Sequence, residues 1–319
     1  MKFLNEYSDG NRISGIYYCK QKITAQTKNG KAYYNLVLSD KTAALDAKVW
    51  DVNSDAIAEF EAKDYVDIVG DVSLYNGSLQ ITVRRLRVAS EGEYDESDYQ
   101  PRSRYKKSDM YDALMKFVDL VEDPHYKRLL NFFFADDKET VDAFMKMSAA
   151  KSIHHGFMGG LLEHTLGVVR LCQVYTKCYP FLNRDLLLTA AMLHDIGKLK
   201  ELSFFPENDY TDDGQLLGHI MIGVEMIHDA CVKLGDIPPM HESQLKHCIL
   251  SHHGELEYGS PKKPALAEAV ALSLADLTDA RMETMREILD QNKDNNGWFG
   301  FNKVFESNLR KTITDAKEK

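Results

Sequence analysis

The chain has 319 residues and a mass of 36.3 kDa, and 44% of its residues are hydrophobic and 28% charged. This composition excludes a mostly disordered chain, and the length predicts two domains. There are 49 acidic against 39 basic side chains, and no apolar stretch approaches the roughly 20 residues that a membrane span needs, so we expect no membrane association.

The first 90 residues are predicted to form a small β-barrel. Residues 13–89 contain about five short runs of β-forming residues separated by turns. Asn76-Gly77, between two such runs, is a strong hairpin signal, and a helical segment is expected at residues 55–61. This order favours a closed all-β barrel of the OB type over residues 1–90. With 12 basic and 11 acidic side chains, the barrel does not share the acidity of the remaining chain.

A boundary is predicted at residues 91–107, where the sequence has no apolar period and changes from acidic to basic, as a solvated linker does. Residues 108–319 are then expected to form an all-α helical bundle with a C-terminal tail. Ser108 is the candidate N-cap of the first helix. The tail either closes over a site or docks on the bundle through Trp298, Phe299 and Phe301.

Histidines are concentrated in one part of the chain, since ten of the eleven lie between His154 and His253. Imidazole is the commonest ligand of transition metals in proteins, so this clustering favours a metal site. The most informative pair is His194-Asp195, which follows a long apolar run. A buried carboxylate without a partner is costly, and the pair therefore indicates a buried cation site, with its side chains gripping one ion or bridging two.

Other polar side chains interrupt apolar helical patterns. His164 and Asp276 each lie among apolar residues at helical spacing. Taken alone, such a histidine is more often a satisfied core residue than a ligand, and for the aspartate the two roles are balanced. Five further histidines lie near glycines that mark expected helix ends: His154, His155, His219, His252 and His253. Side chains at helix ends can converge on one cavity.

The order His164, His194-Asp195, Asp276 resembles the H…HD…D signature of the HD-domain metal-dependent phosphohydrolases. The resemblance extends over about residues 110–290 and implies a helical bundle that holds divalent ions. Within that superfamily, the barrel together with the strings IHHGFMGGLLEHTLGV, LHDIGK, LSHHGELEYGSPKKP, ADLTDARM and WFGFNKVFESNLRK resembles the YhaM-type 3′→5′ exoribonucleases. With both domains and the tail, this resemblance covers nearly the whole chain.

The resemblance implies a centre of two divalent ions. The first ion is expected to bind His164, His194, Asp195 and Asp276. Asp195, a catalytic residue in this interpretation, bridges to a second ion that binds His219 and His252, with His253 as an additional ligand. Imidazole and carboxylate donors without thiolate suit Mn²⁺, Fe²⁺, Co²⁺ or Zn²⁺ better than Mg²⁺, and the resemblance favours Mn²⁺.

Further side chains are assigned to the substrate. By the resemblance, Lys198 is a catalytic residue that contacts a phosphate oxygen, although spacing alone favours an exposed lysine at a helix end. Asp279 either orients a ligand histidine or pairs with Arg281. The candidates for substrate binding are His154, His155, Asp279, Arg281, Tyr33 and Trp50.

The barrel is expected to hold the nucleic acid. Its aromatic side chains either stack on unpaired bases or form the barrel core, which is the more frequent role of aromatic residues in small barrels. The aromatic candidates are Tyr17, Tyr18, Tyr33, Tyr34, Trp50 and Tyr75. The basic candidates for phosphate contacts are Lys20, Lys22, Lys31, Lys48, Arg84, Arg85 and Arg87.

The leading hypothesis is a metal-dependent 3′→5′ exonuclease that acts on single-stranded RNA, with single-stranded DNA left open as a substrate. It would release nucleoside 5′-monophosphates through attack of a metal-activated hydroxide. The direction of degradation rests on the resemblance alone. One alternative is a phosphohydrolase of small nucleotides such as dNTPs, alarmones or cyclic dinucleotides, although Gly259-Ser260-Pro261 replaces the GYP element of cyclic-dinucleotide phosphodiesterases. The other is a non-catalytic nucleic-acid-binding adaptor.

The cysteines and the N-terminal residues favour a cytoplasmic protein. There are five cysteines and none forms a CxxC pair, so we expect reduced thiols. The start, MKFLNEYSDGNR, turns polar too soon for a signal peptide. Formation of a homo-oligomer is left open by the sequence.

Overall fold

The computed structural model describes residues 2–151, 155–293 and 295–312. The N-terminal strands are β1 (Arg12–Gln26), β2 (Ala32–Ser39), β3 (Ala44–Val49), β4 (Tyr65–Tyr75) and β5 (Ser78–Val88). The helices are α1 (Lys107–Leu120), α2 (Pro124–Asn131), α3 (Lys138–Lys146), α4 (Gly160–Cys178), α5 (Arg184–Leu193), α6 (Lys198–Glu201), α7 (Asp212–Leu216), α8 (Gly218–Leu234), α9 (Pro239–Leu250) and α10 (Ala267–Gln291). A hairpin of β6 (Trp298–Asn302) and β7 (Ser307–Arg310) follows.

The five N-terminal strands form a closed barrel in the order β1-β2-β3-β5-β4. Neighbouring strands are antiparallel except β3 and β5, which are parallel. Inward side chains such as Ile13, Leu36 and Ile81 form its core. The predicted turn joins β4 to β5, and Asn76 and Gly77 both have positive φ, as a two-residue hairpin turn requires. The predicted fold class, an OB-type barrel followed by a helical domain, is confirmed.

The helix expected at residues 55–61 does not form, and that prediction was wrong. The segment runs beside β5 instead, where the Leu86 N–H donates to the Ala56 carbonyl at 2.9 Å and the Ala58 N–H donates to the Leu86 carbonyl at 2.9 Å. Ile57 forms the corresponding parallel bridge with Leu86. Backbone pairing with a strand distant in sequence therefore overrides the local helical pattern.

Part of the segment expected to be a solvated linker packs against the barrel. The Tyr94 ring stacks on Tyr65 with ring centroids 3.9 Å apart. Tyr99 is buried, and its hydroxyl donates to the Ile16 carbonyl at 2.9 Å. The tyrosines that make these contacts are not spaced at a helical or strand period. The sequence pattern of the segment therefore did not predict that it packs.

The helical domain packs around α4, α5 and α10, whose apolar faces share one core with α1 and α2. The N-cap prediction at Ser108 was wrong, because α1 begins at Lys107 and Lys106 is its N-cap residue. The Ser108 hydroxyl instead donates to the Asp109 carboxylate at 3.0 Å within the first turn.

The C-terminal hairpin was not expected in a segment assigned to an all-α domain. Strands β6 and β7 pair in antiparallel register, and Leu309 is buried whereas Trp298 and Phe301 are mostly exposed. Within the described part of the chain, none of the helices has the length and apolar character to cross a membrane.

Candidate metal centre

The centre is built on the end of α5. Every residue from Leu186 to Leu193 is buried, and the Asn183 side chain caps the helix by accepting the Leu186 N–H at 3.0 Å. A tight turn over residues 194–197 then leads into α6, with the Lys198 N–H donating to the Asp195 carbonyl at 3.0 Å. This apolar helix therefore carries the Asp195 carboxylate into the interior, where the residue is 2% exposed.

Two histidines and a second aspartate lie on one side of Asp195. Nε2 of His164, from α4, is 3.1 Å from Nε2 of His194 and 3.2 Å from Oδ1 of Asp276 on α10. Oδ2 of Asp195 is 3.5 Å from Nε2 of His164 and 3.4 Å from Nε2 of His194. We call His164, His194 and Asp276 the first cluster.

Three histidines lie on the other side of Asp195. His219 is the second residue of α8, and His252 and His253 follow α9, with donor atoms of all three within 4.8 Å of one another. Oδ1 of Asp195 is 3.5 Å from Nε2 of His219 and 3.8 Å from Nε2 of His252. We call these histidines the second cluster. Each oxygen of the Asp195 carboxylate thus faces a different cluster.

Three atoms at the second cluster are buried and find no hydrogen-bond partner among the described residues: Oδ1 of Asp195 and Nε2 of both His219 and His252. Nδ1 of His219 donates to Oε1 of Glu201 at 2.9 Å, and Nδ1 of His252 donates to the Ile249 carbonyl at 2.7 Å. The protons on Nδ1 leave lone pairs on Nε2. Buried polar atoms are nearly always satisfied, so a carboxylate oxygen and two imidazole lone pairs facing one space fit a divalent cation.

The first cluster has the same organisation. Nδ1 of His194 donates to the Ala191 carbonyl at 2.9 Å, and Nδ1 of His164 donates to Oδ2 of Asp279 at 2.8 Å. Burial lowers the pKa of His164, but its hydrogen bonds to Asp276 and Asp279 outweigh that effect and raise the pKa to about 10. Surroundings that favour an additional proton on this imidazole also attract a metal cation in its place.

Lys198 brings a positive charge to the bridging carboxylate, with Nζ 2.7 Å from Oδ2 of Asp195. Burial raises the pKa of Asp195, but the charge of Lys198 and the nearby histidines hold it well below its usual value. Burial and the neighbouring His253 lower the pKa of His252. Asp195 is therefore ionised and His252 neutral near pH 7, the forms in which these residues bind metals.

The comparisons with known proteins agree with this geometry. Residues 161–281 match the HD domain family. The chain is 34% identical over 293 residues to the 3′-5′ exoribonuclease YhaM of Geobacillus sp. (strain WCH70), which covers 92% of this chain and 89% of that protein. The chain belongs to the YhaM-type family. The predicted family is thereby confirmed, and the HD domain together with the two clusters indicates divalent metal binding.

Among solved structures, the second OB-fold domain of replication protein A from Methanococcus maripaludis is similar to part of the chain. It is 17% identical, covers 28% of this chain and 96% of its own, and gives a TM-score of 0.24.

Two carboxylates of this YhaM-type chain accept hydrogen bonds from histidines of the two clusters. Asp279 accepts from Nδ1 of His164, and its Oδ2 lies 3.1 Å from Nε2 of His155, so among the described residues it contacts histidines and forms no ion pair with Arg281. Glu201 accepts from Nδ1 of His219 and also accepts the His219 backbone N–H at 3.0 Å. Glu201 was missed by the sequence analysis. Its only signal was its position one turn beyond Lys198 and six residues after Asp195.

The centre opens into a cavity of about 250 Å³ lined by residues of both clusters, Asp195, Lys198 and His155. His155 is thus near the centre, but it contacts Asp279. Arg281 lines an adjoining cavity instead. His154 lies outside the described residues.

The barrel aromatics divide into core and surface residues. Tyr17 is buried in the barrel core, as the core alternative expects, whereas Tyr18 is buried beside Tyr65, outside the core cluster of the barrel. The Tyr33 and Trp50 rings lie 4.9 Å apart at an interplanar angle of 30°, and Trp50 is 45% exposed. Together with Lys48, they line a surface cavity of about 530 Å³.

Proposed function

We propose that this chain degrades single-stranded RNA from the 3′ end by metal-dependent hydrolysis of phosphodiester bonds, releasing nucleoside 5′-monophosphates. The observation that carries the proposal is the Asp195 carboxylate, whose two oxygens face two separate groups of imidazole donors. The 34% identity to a 3′-5′ exoribonuclease over 92% of the chain supports the direction of degradation and the choice of RNA. A cytoplasmic location belongs to the same proposal, supported by five free cysteines.

In this proposal the first cluster and Asp195 hold one divalent ion, and Asp195 and the second cluster hold another. The donors are imidazoles and carboxylates without thiolates, which favours Mn²⁺ and also suits Fe²⁺, Co²⁺ and Zn²⁺. Divalent ions bound there supply Lewis acidity, which polarises the phosphodiester and lowers the pKa of water. The residues of the chain fix the donors in place: Asp279 and Glu201 hold His164 and His219 through their Nδ1 protons.

Lys198 is assigned to the substrate in this proposal. Its ammonium group is mostly buried beside Asp195 and lines the cavity of the centre. A positive charge held there compensates the negative charge that develops on phosphate oxygens during hydrolysis.

The barrel is assigned the task of holding the RNA strand. Tyr33 and Trp50 present a paired aromatic surface, and Lys48 lies over the Tyr33 ring at 5.5 Å from its centroid. Stacking on aromatic rings accepts every base and does not depend on the 2′-hydroxyl, so single-stranded DNA is a second candidate substrate.

The test replaces the bridging carboxylate. Asp195→Asn should abolish the stepwise shortening of a 5′-labelled RNA in the presence of Mn²⁺, while binding of the RNA measured by fluorescence anisotropy persists. Asp229→Asn, on the exposed face of α8, removes the same charge far from the centre and should behave as the wild type. Near-normal hydrolysis by Asp195→Asn would contradict the proposed centre. A wild-type protein that hydrolyses dNTPs or alarmones but leaves RNA intact would indicate a small-nucleotide phosphohydrolase instead.

A further inference from the structure

A second cavity adjoins the metal centre. It has a volume of about 570 Å³ and is lined by α10, by Tyr258 and by residues 304–306 of the C-terminal hairpin. Tyr258, Leu277 and Ala280 line both this cavity and that of the metal centre. The two cavities therefore adjoin, and Tyr258 borders both of them.

The size of this cavity fits a small-molecule group. Binding sites for such ligands measure roughly 300–1,000 Å³, and the cavity lies within that range. The loop between β6 and β7 forms one wall of the cavity, so the hairpin at residues 298–310 helps to shape it.

The side chains that line the cavity suit a nucleotide. Tyr258 is 63% exposed, and its backbone carbonyl accepts the Nδ1 proton of His253 at 2.9 Å, which fixes the residue beside the second cluster. Arg281 lies one turn beyond Leu277 on α10 and forms no ion pair within residues 2–151, 155–293 and 295–312. An aromatic face and an arginine without a carboxylate partner are the groups that bind a base and a phosphate.

We propose that this second cavity binds the nucleotide of single-stranded RNA that neighbours the scissile phosphodiester, with Tyr258 stacking on its base and Arg281 contacting its phosphate. The inference rests on the proposed function, and it assigns substrate-binding roles to Tyr258 and to the hairpin loop at residues 304–306. Arg281, in this view, binds substrate one nucleotide away from the metal centre.

The experiment measures kcat and KM for a short 5′-labelled RNA with the full-length, Mn²⁺-loaded protein. Tyr258→Ala and Arg281→Ala should each raise KM about tenfold, the loss expected for one stacked base or one phosphate contact, with kcat within about twofold of the wild type. Tyr258→Phe keeps the aromatic face and should restore the wild-type KM. Arg170→Ala removes an exposed arginine of α4 that lines neither cavity, and should leave both constants unchanged.

Metal content, measured for each variant, separates substrate binding from damage to the centre. Wild-type metal content with a raised KM supports the inference. An unchanged KM in both alanine variants overturns it, and so does a loss of metal that accounts for the raised KM. If the wild type leaves RNA intact, the proposed function fails as well. If the wild type degrades RNA and the variants match it, only the present inference fails.

Discussion

At the scale of single residues, hydrogen bonds from Nδ1 fix the ring orientation of four histidines in the two clusters. His164, His194, His219 and His252 all place Nδ1 against a carboxylate or carbonyl oxygen. Nε2 of His194, His219 and His252 is then left with a lone pair on the side of Asp195, whereas a cation would replace the proton on Nε2 of His164. The rings are held in place before a cation binds, which favours tight binding.

The contribution of this orientation can be measured at Asp279. Asp279→Asn removes the negative charge that strengthens the hydrogen bonds from His155 and His164, so we expect Mn²⁺ affinity to fall by about 10–100-fold. Isothermal titration of the metal-free protein gives the affinity directly. Asp229→Asn serves as the control, since Asp229 is exposed on α8. Wild-type affinity in Asp279→Asn would show that the carboxylate does not orient His164.

Lys198 provides a second residue-level prediction. Lys198→Met keeps the length of the side chain and removes its charge, and we expect kcat on RNA to fall by about 100-fold because one positive group near the phosphate is lost. Metal content should not decrease, since removing the ammonium group leaves Asp195 more negative. A kcat within a few-fold of the wild type, or a rise confined to KM, would argue against a role for Lys198 in the chemical step.

At the scale of the helices, two glycines allow the elements to approach closely enough to form the centre. A Cβ atom at Gly197 would lie 2.0 Å from the His219 carbonyl oxygen and 2.6 Å from the Gly223 nitrogen, both on the backbone of α8. A Cβ atom at Gly167 on α4 would lie 1.8 Å from Oδ1 of Asp279 on α10. The position of α8, and so of His219, depends on the backbone contact at Gly197, and the Asp279 carboxylate that accepts from His164 occupies the space that Gly167 leaves free.

Gly197→Ala tests this dependence. Since the clash is with backbone atoms, α8 must shift, and we expect a loss of about 1–3 kcal/mol in the free energy of unfolding measured with urea in the presence of a chelator. His219 should move with α8 and weaken metal binding. Gly223→Ala is a graded control, because its Cβ would lie 3.4 Å from the Gly197 nitrogen and should destabilise less. Equal stability of wild type and Gly197→Ala would contradict this account of the contact.

At the scale of the whole molecule, the features that the sequence predicts correctly are those that depend on local residue patterns. The strands of the barrel and the apolar helix before His194 follow from residue alternation and helical spacing, which act within a few positions. Glu201 acquires its role only when α8 brings His219 to it, and residues 55–61 are extended only because β5 lies beside them. The burial of Tyr99 against β1 is likewise a contact between distant parts of the chain. Such pairings depend on tertiary packing, which has no periodic signature.

The barrel and the metal centre contribute different steps to the proposed reaction, so their effects should separate. The aromatic surface of Tyr33 and Trp50 lies on the barrel, whereas every donor of the two clusters comes from the helical domain. A strand held by stacking on the barrel raises the local concentration of RNA at the centre without taking part in bond cleavage.

Trp50→Ala tests this division of roles. Loss of one stacking ring removes about 1–3 kcal/mol of binding free energy, so KM for RNA should rise by about tenfold or more while kcat at saturating RNA stays near that of the wild type. The affinity of the chelator-treated protein for RNA should fall by the same factor, because stacking does not involve the metal. Phe181→Ala removes an aromatic side chain of the helical domain that is 75% exposed, and should change neither constant. A fall in kcat at unchanged KM would instead couple the barrel to the chemical step and contradict the separation proposed here.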